Sequence, residues 1–363
     1  MKDPRIAKLA SNLLNHSCKL KKGQTIIIDA SEQSKDLVVE LVRQVYKIGA
    51  YPFVRLSNEQ VSREVLMGMT EEQSKQMLKY QKPMFEDSDA YIAICASNNA
   101  FENSDVPAEI KNSHTKHFGK PITDIRCKKN WVLLHWPNAS LAQLAQTSLE
   151  SFEDFYFDVC TMDYAKMAKA MEPLKNLMER TDKVRIVAPD TDLTFSLKGQ
   201  KAVICSGSHN IPDGEVFSSP VRDSVSGKIR FDIPSLCKGV LHHDVTLTFK
   251  DGKVIEATSS NSAALNSELD SDEGARYTGE FAFGVNPYIT KPMNDTLFDE
   301  KISGTIHIAL GNSYEDAFNG NKSQVHWDII LTGGEIYFDD ILIRKDGKFV
   351  TKELLGLNPD KLK

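Results

Sequence analysis

The chain has 363 residues, 41% of them hydrophobic and 26% charged, with a formal net charge of −6. That length suits two domains, and that composition excludes a disordered or fibrous chain. The acid surplus offers no basic field to a phosphate backbone, and no apolar run approaches the roughly 20 residues of a membrane span, so neither nucleic acid nor membrane is an expected partner.

The opening stretch, MKDPRIAKLASNLLNHSCKL, lacks the apolar core of a signal peptide. Asp3 and Pro4 form an N-cap and first-turn pair, and Ile6, Leu9, Leu13 and Leu14 recur at helical spacing up to Gly23. Thr25–Asp29 is a β-branched run that predicts a buried strand. Ser34 begins a helix with Leu37, Val38, Leu41, Val42 and Val45 on one face, closed by Gly49. Strands follow at Tyr51–Leu56, Ala90–Cys95 and Trp131–His135. Strand–helix–strand order of this kind predicts a parallel sheet with helices packed on it, an N-terminal α/β domain over residues 1–180. Its end is helix-rich, with a helix at Asp163–Met178 that Pro173 is expected to kink or break.

Residues 181–363 change character. Asp251-Gly252, Gly333-Gly334 and Asp346-Gly347 read as hairpin turns, each between strand-like runs: Val245–Phe249, Val254–Ala257, Val325–Leu331, Glu335–Phe338 and Ile341–Arg344. This half is an antiparallel, β-rich α+β domain. The six cysteines are scattered through the chain without a CxxC pair, which fits reduced thiols and a cytoplasmic location.

Metal-ligand residue types concentrate in the second half. His326 and Asp328 stand two apart in a strand and so share a face, where an imidazole and a carboxylate can hold a divalent ion. Glu280 lies between Gly279 and the apolar Phe281–Phe283. A buried carboxylate there must be paired or bind a cation, although alternation also permits it to face outward while Phe281 and Phe283 face the core. Glu215 follows the turn-like Asn210–Gly214, where a solvent-exposed charge is the plain reading. His307 sits in an apolar strand, where a core histidine with one hydrogen bond is the default, and Tyr314 is a phenol beside two acids. Singly each is ordinary. Together they are the inventory for two ions about 3.5–4 Å apart.

In that order the segments GEVF, GEFAFG, HIALGNSY and VHWD resemble the aminopeptidase T family of metallopeptidases. The stretch Leu20–Ile28, followed by Gly49-Ala50, is similar to that family's opening strand and helix, so the resemblance spans nearly the whole chain. It implies metal ligands at Glu215, Glu280, His307, His326 and Asp328, with Tyr314 a further ligand or transition-state donor. It also implies catalytic roles for Glu215, Glu280 and Tyr314, a pair of divalent ions (zinc, cobalt or magnesium), a homodimer, and peptide substrates with a free N-terminus. Which glutamate bridges the metals and which moves the proton stays open at this point. The competing readings are another two-metal hydrolase, an amidase or phosphodiesterase, or a non-catalytic binding protein on the same fold.

Other motifs carry less. Gly320–Ser323 lacks the first glycine of a phosphate loop, no GxGxxG follows the first strand, and Cys205–His209 is not GxSxG. His114, His117, His242 and His243 read as surface or half-buried residues, and Asp270–Glu273 as a solvated acidic loop.

Overall fold

Asp3 accepts a hydrogen bond from the Arg5 amide and opens the helix Pro4–Asn12 in the computed structural model, which describes residues 3–363. The first unit runs to Met162 and takes back Gly207–Ile211. Its sheet is parallel, in the order Tyr51–Ser57, Thr25–Ser31, Ala90–Cys95, Asn130–His135, with Asn210–Ile211 beyond. Ile26, Ile27 and Ile28 are all buried, as a central strand covered on both faces requires. Gly49 ends the helix Lys35–Ile48 in the left-handed conformation that a glycine adopts without strain. The parallel α/β architecture therefore follows the strand–helix alternation. The Asn210–Ile211 strand is too short for any sequence period to mark. Tyr51–Ser57 forms a free edge on which Tyr51, Phe53, Val54 and Leu56 are exposed.

The second unit comprises Asp163–Ser206 and Pro212–Lys363. It begins with the helix Tyr164–Arg180, capped by the Asp163 side chain on the Lys166 amide. Of the expected kink or break at Pro173, the break does not occur, since the helix runs on through it. Met167, Met171, Leu174 and Met178 bury one continuous face on both sides of the proline, and that burial offsets the missing hydrogen bond.

Two antiparallel sheets follow. One has eight strands, including Thr191–Ser196, Lys183–Ala188 and Glu335–Phe338 in its middle. The other has five, in the order His326–Thr332, Thr305–Gly311, Thr278–Gly284, Glu215–Ser218, Ala202–Cys205. Asp251-Gly252 and Asp346-Gly347 are two-residue hairpins with positive φ at both positions, as expected. Gly333-Gly334 is different. It also has positive φ, yet it carries the chain from His326–Thr332 in the five-stranded sheet to Glu335–Phe338 in the eight-stranded one. The glycines supply a sharp change of direction, not a hairpin.

Aromatic contacts join the two sheets. Phe281 meets Phe195 edge-on at 4.9 Å and Phe283 at 5.1 Å, and Phe283 meets Phe338 at 6.0 Å. Among the described residues no helix is long and apolar enough to cross a membrane. Because Phe281 is fully buried between the sheets, Phe281→Ala should cost about 3–5 kcal/mol of stability. Urea unfolding checks this, and an unchanged midpoint would mean the aromatic layer is not what holds the sheets together.

Candidate metal centre

The register of the five-stranded sheet decides which side chains meet. Asp328 pairs with Ala309, His307 with Ala282, and Gly284 with Glu215, which in turn pairs with Cys205. Residues directly opposite each other share a face, and so do residues two apart. His326, Asp328, His307, Glu280, Glu215 and Cys205 therefore stand on one face. Phe281, Phe283, Ile306, Ile308, Trp327 and Ile329 stand on the other, turned to the core.

A β-bulge immediately precedes Glu280 on its strand. Thr278 pairs with Leu310, but Glu280 already pairs with Ala309, so Gly279 is the extra residue. The bulge puts Thr278 and Glu280 on different faces. A Cβ at Gly279 would lie 2.2 Å from the Asn312 carbonyl oxygen, so only glycine fits that approach.

The donor atoms converge closely. His307 Nε2 lies 3.2 Å from Glu280 Oε1, 3.5 Å from Glu215 Oε2 and 4.0 Å from Asp328 Oδ1. His326 Nε2 lies 3.7 Å from Glu280 Oε2 and 3.4 Å from Asp328 Oδ1. Glu280 thus turns one oxygen to each imidazole. His326 Nδ1 is 2.8 Å from the Asn312 carbonyl, which can only accept, so Nδ1 carries a proton and Nε2 is the atom left to ligate once the ring is neutral. Tyr314 sets its ring against His326 at 4.5 Å, tilted by 48°, and meets Phe217 edge-on at 6.2 Å. All six residues predicted from sequence are brought together.

Burial makes this cluster costly as it stands. Glu215, Glu280 and His307 are buried, and Glu215 Oε2 and Asp328 Oδ1 have no hydrogen-bond partner. Burial opposes protonation of His307, but its bond to Glu280 and the charges of Glu215 and Asp328 win and raise it to about 9. His326 is likewise opposed by burial, yet Asp328 raises it to about 10. Burial pushes Glu280 up, against the pull of His307. For Asp328 burial is overcome by His326, which holds the carboxyl well below its usual range. Desolvation, with the charge of Glu280 beside it, keeps the Tyr314 phenol protonated far above its ordinary range, although 48% of the residue's surface is exposed.

Orphaned carboxylate oxygens packed against imidazoles are what a divalent cation satisfies. Single ligand atoms of Glu215, Glu280 and His307 lie within 4.8 Å of one another. The donor set, oxygen and nitrogen without a required thiolate, suits zinc or a similar ion. The residues present therefore fit a metal.

Several residues at the centre gave no sequence signal. Lys301 is completely buried, with Nζ 2.6 Å from Glu215 Oε1, 2.6 Å from Glu300 Oε1 and 3.7 Å from Asp213 Oδ1. Burial drives Glu300 up to about 8, partly offset by Lys301. A lysine amid Leu297, Phe298 and Ile302 was the available clue. Two other expectations need correction. His242 is fully buried, with Nδ1 3.0 Å from Ser259 Oγ and its ring packed on Trp327. Asp272 is no solvated loop charge, because it accepts from the Gly274, Ala275 and Gln324 amides and pins that loop.

Over residues 2–351 the chain matches the family described as thermophilic metalloprotease (M29). It belongs to that family. Among its relatives are aminopeptidase 2 of Geobacillus stearothermophilus, 24% identical, with 95% of each chain covered. Aminopeptidase T of Thermus aquaticus is also 24% identical, covering 92% of this chain and 94% of its own. The solved structure of wild-type AmpT from Thermus thermophilus shares the fold, with a TM-score of 0.84 at 23% identity, covering 96% of this chain and 99% of that one. This M29 enzyme is thus a metal-dependent peptidase.

Metal ligation needs neutral imidazoles, whereas the carboxylates keep both histidines protonated near neutral pH in the metal-free protein. Binding of zinc at about pH 7.5 should therefore release about two protons per chain. Titration calorimetry in buffers of different ionisation enthalpy measures this. The release should fade as the pH rises past the histidines' values, and zinc binding without proton release would mean that the metal-free histidines do not hold those protons.

Proposed function

We propose that this chain is a two-metal aminopeptidase that hydrolyses the first peptide bond of peptides with a free α-amine. The observation that carries the reading is Glu280, one oxygen toward His307 and the other toward His326. Two ions would be held by Glu215, Glu280 and His307 and by Glu280, His326 and Asp328. When bound, the ions polarise the scissile carbonyl and lower the pKa of water toward neutrality.

The chain's own groups do the rest. Glu280 and Glu215 are the candidates for carrying the proton from water to the leaving amine. Their geometry separates them: Glu280 faces both imidazoles, while Glu215 has Oε1 held by Lys301 and Oε2 turned to His307. Glu280 would be the carboxylate common to both ions, and Glu215, anchored through Oε1 by Lys301, would serve through Oε2. Tyr314, kept as the neutral phenol, donates a hydrogen bond to the oxyanion that forms. An acidic group of the centre receives the substrate's α-amine, and this restricts cleavage to the first bond.

The named relatives are aminopeptidases, which supports this reading over an amidase, a phosphodiesterase or a non-catalytic binder on the same residues. Zinc, cobalt or magnesium fits the donors. A cytoplasmic homodimer remains part of the proposal. The exposed apolar edge at Tyr51, Phe53, Val54 and Leu56 is the kind of surface that association between copies covers.

Hydrolysis of leucyl-p-nitroanilide should be lost on chelation, return with cobalt or zinc, and be absent for the N-acetylated substrate. Equal cleavage of the blocked substrate would contradict the exopeptidase reading. Glu280→Gln, which keeps the shape and removes the charge, should lower kcat/KM by at least about 10²-fold with the circular dichroism unchanged. Full activity in that variant would take Glu280 out of the mechanism.

A further inference from the structure

Lys301 lies at the centre and is neither a metal donor nor a core residue. Its backbone is fixed on both sides: its amide donates to the Phe298 carbonyl at 3.0 Å, and its carbonyl accepts from the Asn286 amide at 3.0 Å. Its exposure is 0%. The ammonium therefore cannot swing to solvent, and it lies against Glu215, Glu300 and Asp213. Glu215 divides its oxygens as a result. Oε1 is bound by the ammonium, while Oε2 is buried, has no hydrogen-bond partner and faces His307.

The same ammonium borders a second set of ligand types. Cys205 stands directly opposite Glu215 across the ladder. Single donor atoms of Cys205, Asp213 and Glu215 lie within 4.8 Å of one another, close enough to share an ion. A thiolate with two carboxylates would attract zinc or cobalt. A cation already sits beside these donors, and it is covalently part of the chain.

We propose that Lys301 is a built-in cation of the metal centre: it holds Glu215 by one oxygen, leaves the other for the metal, and keeps a further ion out of the Cys205–Asp213–Glu215 cluster. This rests on the metal reading of the site. It makes Lys301 a positioning residue. An ammonium suits the task because it is not removed by chelators, so Glu215 stays aimed at His307 in the metal-free protein. Losing it would leave buried carboxylates uncompensated and open to another cation.

The test uses the full-length wild type, Lys301→Met and the double variant Lys301→Met/Cys205→Ser, each dialysed against cobalt(II). Cobalt per chain is counted by mass spectrometry, and the near-ultraviolet spectrum is read for thiolate-to-cobalt charge transfer. The wild type should bind cobalt without a thiolate band. Lys301→Met should take one further cobalt and gain the band, and the double variant should lose it again. Unchanged cobalt count and spectrum in Lys301→Met, beside a wild type that binds cobalt, would overturn the proposal alone. A wild type that takes up no cobalt overturns the metal reading with it. If Lys301→Met does not fold, the wild type still decides: a thiolate band there overturns the proposal, and cobalt bound without one supports it.

Discussion

Successive residues of a β-strand point to opposite faces, and the five-stranded sheet turns that rule into a division of labour. One face carries Phe281, Phe283, Ile306, Ile308, Trp327 and Ile329 into the core between the sheets. The other carries Glu215, Glu280, His307, His326 and Asp328. The aromatic layer and the polar centre are separated only by the thickness of a backbone. Each strand that supplies a ligand is therefore anchored by the apolar residue next to it, and the ligands are positioned by a rigid element instead of a loop. Gly279 is the exception that the rule needs. Its bulge lets Thr278 and Glu280 fall on different faces.

Electrostatics then sets what the centre can be. Glu215, Glu280, Asp328, Glu300 and Asp213 are gathered where water is scarce, and Lys301 and two imidazoles answer them. Without metal the histidines meet the negative charge by holding protons. On the proposed reading they give up those protons to metal and become neutral ligands. One arrangement of residues thus serves two states, and the exchange of protons for metal links them. Lys301 is common to both.

Much of this was readable in the sequence, for physical reasons that differ by residue. His326 and Asp328 could be placed on one face because strand period alone determines it. Phe281 and Phe283 could be assigned to the side opposite Glu280 for the same reason. The convergence of Glu215, Glu280 and His307 depends on which strands pair and in what register, and nothing local encodes that. The resemblance to a known family supplied what periodicity could not. Lys301 was invisible because a lysine beside a glutamate reads as surface until its burial is known. Pro173 and Gly333-Gly334 misled for a related reason. Local signals for a helix break and a hairpin were overridden by a buried face in one case and by a change of sheet in the other.

The central claim is that Glu280 joins the two halves of one metal centre on the polar face of this sheet. Anomalous diffraction at the zinc edge from crystals of the zinc-loaded protein tests it most directly. The account predicts two peaks, one on each side of the Glu280 carboxylate, the first beside His307 and Glu215 and the second beside His326 and Asp328. A single peak that Glu280 does not touch, or zinc held by Cys205 and Asp213 instead, would contradict it.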